Sequence, residues 1–497
     1  MTPASLTRSR FHDHILPIAF AAFVFVCALT GGSSRPDEKL QIIVRLAAIL
    51  LIAVTLVGVR KRDLTNSLAP ITLLAAFTAA ILVQLVPLPP QLWLSMPGHA
   101  QFAAAADIAG IAQPWRPISL APDLTLNALV SLAPAWAALL ALSAMTERRR
   151  DQTLMLWLLV AGASAILGLM QMSTGLTSPF YIYEITNPGK PVGLLANRNH
   201  QATLLGAFLA VCLIWMLDHG KDQTSAIAGR VAAAAFALIC VAVLMMSGSR
   251  SGLILAGVGL VMAFIVRRRL LLDSLGKTSA RALVAMGGLV LTLGGLLWLG
   301  IGARAESVLR LSGSGDVGEL RVSNLPQVME TVRIYFPLGA GFGTFDPVFR
   351  ILEPDSSLTR KYFNHAHNDW IELIITGGVP AVLVLVAFMG WFTGRVRALT
   401  AMPLSLAAAS GIIIVVLTGL ASAADYPLRT PLISTLFACA CCWLCRRSVP
   451  ADVTPVFHPA ATRDRPVLSR MSAGEATGGV NPARCFSSSA AKAAGVA

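Results

Sequence analysis

The sequence predicts an all-α polytopic membrane protein with about twelve transmembrane helices and a large periplasmic loop. Three observations support this fold class. The chain of 497 residues is 55% hydrophobic and only 13% charged, whereas soluble domains carry about 25% charged residues. Its mean hydropathy is +0.69. Apolar runs long enough to cross a bilayer recur from end to end, which excludes a soluble enzyme with a single anchor.

The first apolar run follows Arg8 and Arg10 and resembles a signal peptide, but it lacks a cleavage site of small residues. Because further spans follow, we interpret it as the first transmembrane helix. The predicted spans fall at about 15–30, 40–59, 68–87, 124–145, 152–173, 200–217, 231–247, 251–266, 282–303, 370–394, 403–424 and 428–445.

Clusters of basic residues predict the orientation of these spans. If every segment crosses the membrane, the clusters all fall on one side, which the positive-inside rule assigns to the cytoplasm together with both termini. The net charge of +14 therefore reflects topology rather than nucleic-acid binding. The clusters are "TRSRF" (7–11), "VRKRD" (59–63), "ERRRD" (147–151), "VRRRL" (266–270), "GRVRAL" (394–399) and "CRRS" (445–448).

Composition divides the chain into three parts. Residues 1–190 hold N-terminal spans with a periplasmic loop at 88–123, whose Pro and Trp residues favour an interfacial segment with aromatic anchors. Residues 191–446 form a membrane core with a periplasmic loop at 304–369. Residues 447–497 are rich in Ala, Ser, Pro and Gly, which predicts a disordered cytoplasmic tail.

The 304–369 loop contains two local patterns. Residues 319–335 read as a short amphipathic helix, and "GAGFGTF" (339–345) reads as a glycine-rich turn. Arg321 and Arg333 lie on the predicted helix, where a solvated face is the simpler interpretation.

Two patterns suggest a metal site, and neither is strong. The segment "CACCWLC" (439–445) carries four cysteines, but it reads as a helix with no histidine nearby, so packing is favoured. "LEPD" places Glu353 and Asp355 two residues apart around a proline, which favours loop carboxylates. We therefore expect no metal.

Charged residues at the outer boundary of the membrane are functional candidates, because placing charge near lipid is costly. Arg250 lies on a Gly/Ser turn in "SGSRSG"; anchoring arginines collect on the inner side, so a functional role is favoured. Arg198 stands between Asn197 and Asn199 where a span begins. A ligand contact and a polar helix start with Asn as cap remain equally open there.

The stretch "NHAHNDWIELIITGGVP" (364–380) brings His367, Asn368 and Asp369 to the start of a span. Asn368 is a candidate helix cap, and Asp369 is a candidate for orienting the imidazole. On a helix, His365 would point away from His367. Histidine exchanges protons near neutral pH, and the arginine fork suits phosphate oxygens. Together with the outer arginines, this histidine indicates group transfer from a lipid diphosphate.

These stretches resemble the O-antigen ligase and O-antigen polymerase family of bacterial membrane glycosyltransferases. The resemblance extends over about 80–431, and its motifs follow in the same order and spacing. They are "GLLANRNHQATLL" (193–205), "MSGSRSGLIL" (246–255), "RVSNL" (321–325), "PLGAGFGTF" (337–345), "NHAHNDWIELIITGGVP" (364–380) and "DYPLRTP" (425–431).

The resemblance implies a GT-C-like fold in the bacterial inner membrane and a metal-independent inverting glycosyltransferase without cofactor. The donor would be a glycan on undecaprenyl diphosphate, and the active site would face the periplasm. The acceptor would be lipid A–core for a ligase or another lipid-linked glycan for a polymerase, including an exopolysaccharide polymerase; the two remain open.

By position in the family motifs, the resemblance implies that Arg250 and Arg321 bind the diphosphate and that His367 activates the acceptor hydroxyl. Further residues are expected to contact substrate, with bracing of the site left open for the two arginines. These are Arg198, Asn199, Asn368, Asp369 and Arg429.

A polysaccharide or lipid-linked glycan transporter or flippase is the alternative, because polar groups in the membrane also line transport pathways. Transporters usually show paired halves and broken helices at the midplane, and neither is visible in the sequence. A scaffold protein would leave the clustered motifs unexplained.

Overall fold

A computed structural model gives the architecture of the chain. It describes residues 11–218, 225–274, 323–353, 355, 363–401 and 404–445, with the backbone alone described for 12, 62, 217–218, 225–227 and 268–274. Helices dominate these ranges, and the single pair of strands found there is antiparallel, β1 (Pro87–Leu88) with β2 (Arg116–Pro117). The predicted all-α class is confirmed.

The helices in the first part of the chain are α1 (Leu16–Thr30), α2 (Leu40–Gly58), α3 (Lys61–Leu64), α4 (Leu68–Val83), α5 (Pro90–Leu94), α6 (Ala104–Ile108), α7 (Pro122–Val130), α8 (Ala133–Ala144) and α9 (Glu147–Thr174). Those that follow are α10 (Arg198–Asp218), α11 (Ser225–Met246), α12 (Arg250–Ser274), α13 (Leu325–Tyr335), α14 (Phe345–Leu352), α15 (Asp369–Thr400), α16 (Leu406–Ser422) and α17 (Pro431–Leu444).

Eleven of the twelve predicted spans correspond to helices in the described ranges. Nine of these are long and apolar enough to cross a membrane, and α16 and α17 are shorter apolar helices. The twelfth prediction, 282–303, lies outside the described residues, as do Arg321 and the predicted tail at 447–497. The polytopic membrane fold is therefore confirmed.

Small residues fix the packing of α10 against α12. Added Cβ atoms at Gly252 and Gly206 would fall against Ala202 and Ala256 respectively, so the two backbones approach closely. Such small-residue contacts are the usual means of close helix packing in lipid. Both contacts pair residues 50 positions apart, so the helices run parallel and their first residues lie at the same end of the bundle.

The two ends of the bundle differ in character. At one end, which we call the arginine end, Arg267 donates to the Leu404 carbonyl, Arg395 donates to the Leu444 carbonyl, and Trp443 donates to the Arg150 carbonyl. These bonds bring three of the predicted basic clusters to the same end. The other end, which we call the loop end, holds residues 31–39, 84–121, 175–197, 247–249, 336–344 and 423–430.

The loop at 88–123 folds into short elements rather than lying as an extended interfacial segment. Trp93 is buried and its indole donates to the Pro117 carbonyl at 2.8 Å, so it holds the loop together and is not exposed as a membrane anchor. Trp115 is exposed, as an anchor would be. The aromatic-anchor prediction is therefore wrong for Trp93.

The long helix α15 is broken. Gly378 has φ 57° and ψ −151° and stands at the tenth residue of this 32-residue helix, two residues before Pro380. The break is invisible in the apolar pattern, which continues through it, and so the sequence analysis missed it. The predicted glycine-rich turn is confirmed, with positive φ at Gly339, Gly341 and Gly343.

The cysteines of the segment 439–445 lie within or directly after α17. All four are buried and carry free thiols, as expected for small apolar side chains in a packed helix. Within the described residues, no three His, Cys, Asp or Glu side chains are grouped to hold a metal.

Candidate active site

The candidate site lies at the loop end, where the corner between α16 and α17 meets the start of α15 and the start of α10. A 3-10 turn at Pro427–Arg429 forms part of the corner. The residues just before α15, at 363–368, are not helical, so their side chains are not restricted to one helix face.

A buried carboxylate orients His367. The Nδ1 atom of His367 lies 3.3 Å from Oδ1 of Asp425, and the imidazole is 19% exposed while the carboxylate is 4% exposed. Asn199 donates its amide to Oδ2 of Asp425 at 2.6 Å, and Asn197 donates to the same oxygen at 3.3 Å. In the tautomer that donates from Nδ1, Nε2 carries the basic lone pair.

The backbone at His367 is also unusual. Its φ is +49°, which is rare for a residue with a side chain and costs about 1–3 kcal/mol. Such conformations persist where the surroundings determine them, and they cluster at functional sites. The strain is compatible with a side chain held in one orientation.

Aromatic rings surround the imidazole. The ring centroids of Tyr426 and His367 lie 5.2 Å apart, and Phe363 lies 5.6 Å from His367 on another side. Tyr426 also contacts His365 at 4.3 Å and His200 at 5.4 Å. Tyr426 thus connects the start of α10 with the segment before α15.

A network of ion pairs lies beside the imidazole. Arg429 donates Nε to Asp369 at 2.9 Å and Nη2 to Glu372 at 3.0 Å. Glu372 also pairs with Nδ1 of His365 at 3.0 Å and accepts the backbone N–H of Ala366. Burial lowers the pKa of the Arg429 guanidinium, but the charges of Glu372 and Asp369 outweigh burial and raise the pKa above its usual value. Arg429 is therefore a permanently charged centre of this network.

Asn368 and Asp369, both predicted to bind substrate, differ in the contacts of their side chains. The side chain of Asn368 caps α15 by accepting the backbone N–H groups of Trp370 and Ile371. The second carboxylate oxygen of Asp369 is buried and has no hydrogen-bond partner among the described residues. Asn368 thus fits the cap predicted for it, whereas the Asp369 oxygen is available to a polar group of a ligand.

Two of the predicted arginines, Arg250 and Arg198, begin helices at the loop end. Arg250 begins α12, whose parallel packing on α10 brings it to the loop end with Arg198, the first residue of α10. The backbone N–H of Arg198 donates to Oδ1 of Asn187, and the N–H of Asn199 donates to Oδ1 of Asn197, which is the predicted polar helix start.

Residues 234–386 of the chain match the family described as O-antigen ligase. This range is similar to an O-antigen ligase domain, and it is called by that name below. The match confirms the family resemblance predicted from the sequence. Comparison with curated proteins gives no match.

The O-antigen ligase domain spans part of the candidate site. The matched range includes Arg250 and Arg321 as well as His367, and it ends before the corner that carries Asp425 and Arg429. The site as folded therefore extends beyond the matched range at both ends of the sequence, since Asn199 precedes it.

Two expectations for the O-antigen ligase domain are corrected by the geometry. Asp369 was a candidate for orienting the imidazole, but its carboxylate pairs with Arg429, and Asp425 orients His367 instead. His365 was expected to point away from His367 on a helix, yet both rings contact Tyr426 because residues 363–368 are not helical.

Four residues of this site were missed by the sequence analysis: His365, Glu372, Asp425 and Tyr426. The motif "DYPLRTP" offered a signal for two of them, because it places a carboxylate and an aromatic ring in a short turn between two apolar helices. Glu372 gave a weaker signal, as a second carboxylate, after Asp369, in the first turn of an apolar helix.

The solvated face expected on α13 is present. Arg333 is 80% exposed and pairs at 3.4 Å with Glu330, one turn earlier. Residues 319–322 of the predicted helix lie outside the described residues. The helix begins at Leu325 and buries Val328, Thr331 and Tyr335. It packs beside the site without adding a described cation to it.

Proposed function

We propose that the chain is a membrane glycosyltransferase that moves a glycan from undecaprenyl diphosphate to an acceptor sugar hydroxyl at the periplasmic face. The O-antigen ligase domain supports membrane glycan transfer in general. The observation that carries the finer proposal is the pair of His367 and Asp425, in which a buried carboxylate holds an imidazole at the end of the helix bundle.

The chemistry requires one base and an anion-binding group. Nε2 of His367 takes the proton of the acceptor hydroxyl while its oxygen attacks the anomeric carbon of the donor. The bond from that carbon to the diphosphate oxygen breaks, and the electron pair leaves with the undecaprenyl diphosphate. Asp425 stabilises the imidazolium that forms. Attack from the face opposite the leaving group inverts the anomeric carbon without a metal.

Arginines are proposed to bind the leaving diphosphate. A guanidinium keeps its charge and forms paired hydrogen bonds to phosphate oxygens. Arg250 is proposed for this role because it lies at the loop end, and Arg321 by its position in the family motif. Arg198, Asn199, Asn368 and Asp369 are proposed to contact substrate, and among them the Asp369 oxygen without a partner is suited to a sugar hydroxyl.

The distribution of charge supports the proposed direction of the site. Arg150, Arg267 and Arg395 cluster at the arginine end, and positive residues favour the cytoplasmic side of a membrane. The loop end would then face the periplasm of a bacterial inner membrane, with both termini in the cytoplasm. Activated lipid is the energy source that is available on that side.

A lipid-linked glycan flippase is the second candidate, and the break in α15 favours it, since broken helices are typical of transporters. The break lies toward the loop end of the helix, beside the candidate site, whereas transporter sites usually lie near the midplane. We therefore favour transfer.

Substitution of His367 tests the proposal. The full chain with His367→Ala is reconstituted in vesicles with a lipid-linked glycan donor and a glycolipid acceptor, and glycan transfer is measured. We expect a loss of about 10²- to 10⁴-fold, the usual contribution of a general base. Arg333→Ala, which removes an exposed cation from α13, is the control and should transfer at the normal rate.

The same vesicles separate the two candidates. Transfer that survives His367→Ala contradicts the base. Movement of a labelled donor lipid between leaflets by the wild-type chain, without any product, would indicate a flippase. In cells, loss of all long chains from lipid A–core with free polymer left on its carrier indicates a ligase, whereas a single attached repeat indicates a polymerase.

A further inference from the structure

The break in α15 leaves two carbonyls without partners inside the helix. In a continuous helix the carbonyls of Ile375 and Thr376 would accept from residues 379 and 380. Residue 380 is proline and has no N–H, and the N–H of Val379 donates instead to the carbonyl of Pro337 at 2.8 Å. A buried carbonyl without a partner is costly, so these groups must be satisfied from elsewhere.

The glycine-rich turn provides the first set of partners. The N–H of Ala340 donates to the Ile375 carbonyl at 2.9 Å, and the N–H of Gly341 donates to the Thr376 carbonyl at 3.0 Å. At Gly339 a Cβ would lie 2.5 Å from the Thr376 carbonyl oxygen, so a glycine is needed for this approach. The turn is docked onto the break through its backbone.

Gln84 provides a further connection from a distant part of the chain. It follows the last residue of α4 and is 4% exposed. Its Nε2 donates to the Thr376 carbonyl at 2.9 Å, and its Oε1 accepts the N–H of Phe342 at 2.9 Å. Its own backbone carbonyl accepts from Ser119 at 3.0 Å. One amide therefore joins the broken helix to the turn.

The short helical segment before the break, Asp369–Gly377, carries part of the candidate site, and His367 lies two residues before it. Arg429 holds one end of this segment through Asp369 and Glu372. The contacts at Thr376 hold the other end. The orientation of the segment depends on both attachments, and so does the position of the His367 backbone that precedes it.

We propose that Gln84 is a positioning residue for glycan transfer, which acts by fixing the segment Asp369–Gly377 so that His367 meets the acceptor hydroxyl. The inference rests on the function proposed above. Within the described part of the chain, the Gln84 side chain bonds to Thr376, Leu338 and Phe342 rather than to the imidazole or the ion-pair network. Gln84 would affect the alignment of His367 with the acceptor hydroxyl. It would not affect donor binding, because the arginines proposed for the diphosphate lie on other elements.

Two substitutions distinguish the hydrogen bonds that the side-chain amide of Gln84 donates from those that it accepts. Gln84→Met removes both hydrogen bonds and keeps a similar length. Gln84→Glu keeps an acceptor for the N–H of Phe342. It loses the donor to the Thr376 carbonyl and places a carboxylate against that oxygen instead. Gln101→Met is the matched control, because this glutamine lies in the same outer loop and its amide is exposed. Each full-length variant is purified, reconstituted and assayed.

We expect kcat to fall by about 10- to 100-fold in both Gln84 variants, since a displacement on the order of 1 Å in a catalytic group has effects of this size. The KM for the lipid-linked donor should stay within about twofold, because donor binding does not pass through Gln84. Gln101→Met should match the wild type in both constants.

Hydrogen exchange followed by mass spectrometry gives a second measurement that needs no activity. Peptides covering 338–344 and 369–379 should exchange faster in both Gln84 variants, while α9 remains protected as in the wild type. Unchanged kcat, a raised donor KM with normal kcat, or faster exchange over the whole protein would each overturn the proposal. If the wild type itself transfers no glycan, the proposed function fails, and the exchange of 369–379 alone decides whether Gln84 fixes this segment.

Discussion

The imidazole of His367 depends on a carboxylate that comes from a separate helix corner. Asp425 is buried and accepts hydrogen bonds from His367, Asn199 and Asn197, which satisfy its oxygens in the protein interior. A carboxylate in this position fixes the tautomer of an imidazole and stabilises its protonated form. The asparagines therefore act on the base through Asp425.

Replacement of Asp425 tests this dependence. With Asp425→Asn the amide no longer favours the N–H at Nδ1 of His367, and we expect transfer to fall by about 10²- to 10⁴-fold with the fold preserved. Initial rates of glycan transfer by the reconstituted protein measure the effect. Asp346→Asn removes an exposed pair with Arg350 and serves as the matched control. A variant at 425 as active as this control would refute the orienting role.

Arg429 shows how neighbouring charges decide a residue's role. Both of its ion pairs are made to carboxylates of α15, and one of these, Glu372, is 1% exposed. A guanidinium whose charge is balanced by two carboxylates attracts a diphosphate less strongly. Removing one partner of a buried pair is strongly destabilising. The geometry thus favours the bracing role over substrate contact for Arg429.

At the scale of elements, the parallel packing of α10 on α12 determines where Arg250 lies. Gly252 and Ala202 meet only two residues from the start of α12, and an added methyl group at Gly252 would overlap the Ala202 side chain. A change in the packing of Gly252 would therefore move the start of α12 and shift Arg250 with it.

A pair of glycine substitutions on α12 tests this coupling. Gly252→Ala should lower the thermal unfolding temperature and raise the donor KM, because the start of α12 must move away from α10. Gly257→Ala, with no atom of the neighbouring described elements within 4 Å of its added Cβ, should leave the donor KM unchanged and stabilise the helix by about 0.5–1 kcal/mol. Thermal unfolding in detergent and donor titration measure both quantities. Equal behaviour of the two variants would show that the close contact does not position Arg250.

At the scale of the whole molecule, the chain separates its charges by end. The arginine end gathers basic side chains that donate to the last carbonyls of helices, as Arg395 does to Leu444. Cations in this position complement helix C-termini and also satisfy the positive-inside rule. The loop end instead combines histidines and carboxylates with the arginines of the candidate site, such as Arg429.

Cysteine labelling measures which end faces the periplasm. In a background with Cys485→Ser, the chain with Trp115→Cys should react with an impermeant thiol reagent in cells whose inner membrane is intact. The chain with Arg397→Cys should react only after permeabilisation. The seven native cysteines in the described ranges are buried and should contribute little background. The reverse labelling pattern would place the candidate site in the cytoplasm and rule out the proposed orientation.

The site was predictable to the extent that its signals are local in sequence. His367, Asn199, Asp369 and Arg429 stand out as polar residues at the ends of apolar runs, and the structure brings them into one region. Asp425 was not assigned to His367, because the two are separated by 58 residues and by two helices. No local sequence pattern predicts which helix ends are in contact in the folded protein.

The sequence by itself determined the membrane class, eleven of the helical spans and the motifs of the O-antigen ligase domain. These depend on the lengths of apolar runs and the types of residue at their ends, which are properties of short segments. The tertiary structure decided the partner of His367, the ion pairs of Arg429 and the break at Gly378. Each of these depends on contacts between distant segments, whose energies are set by packing and burial rather than by neighbours in the chain.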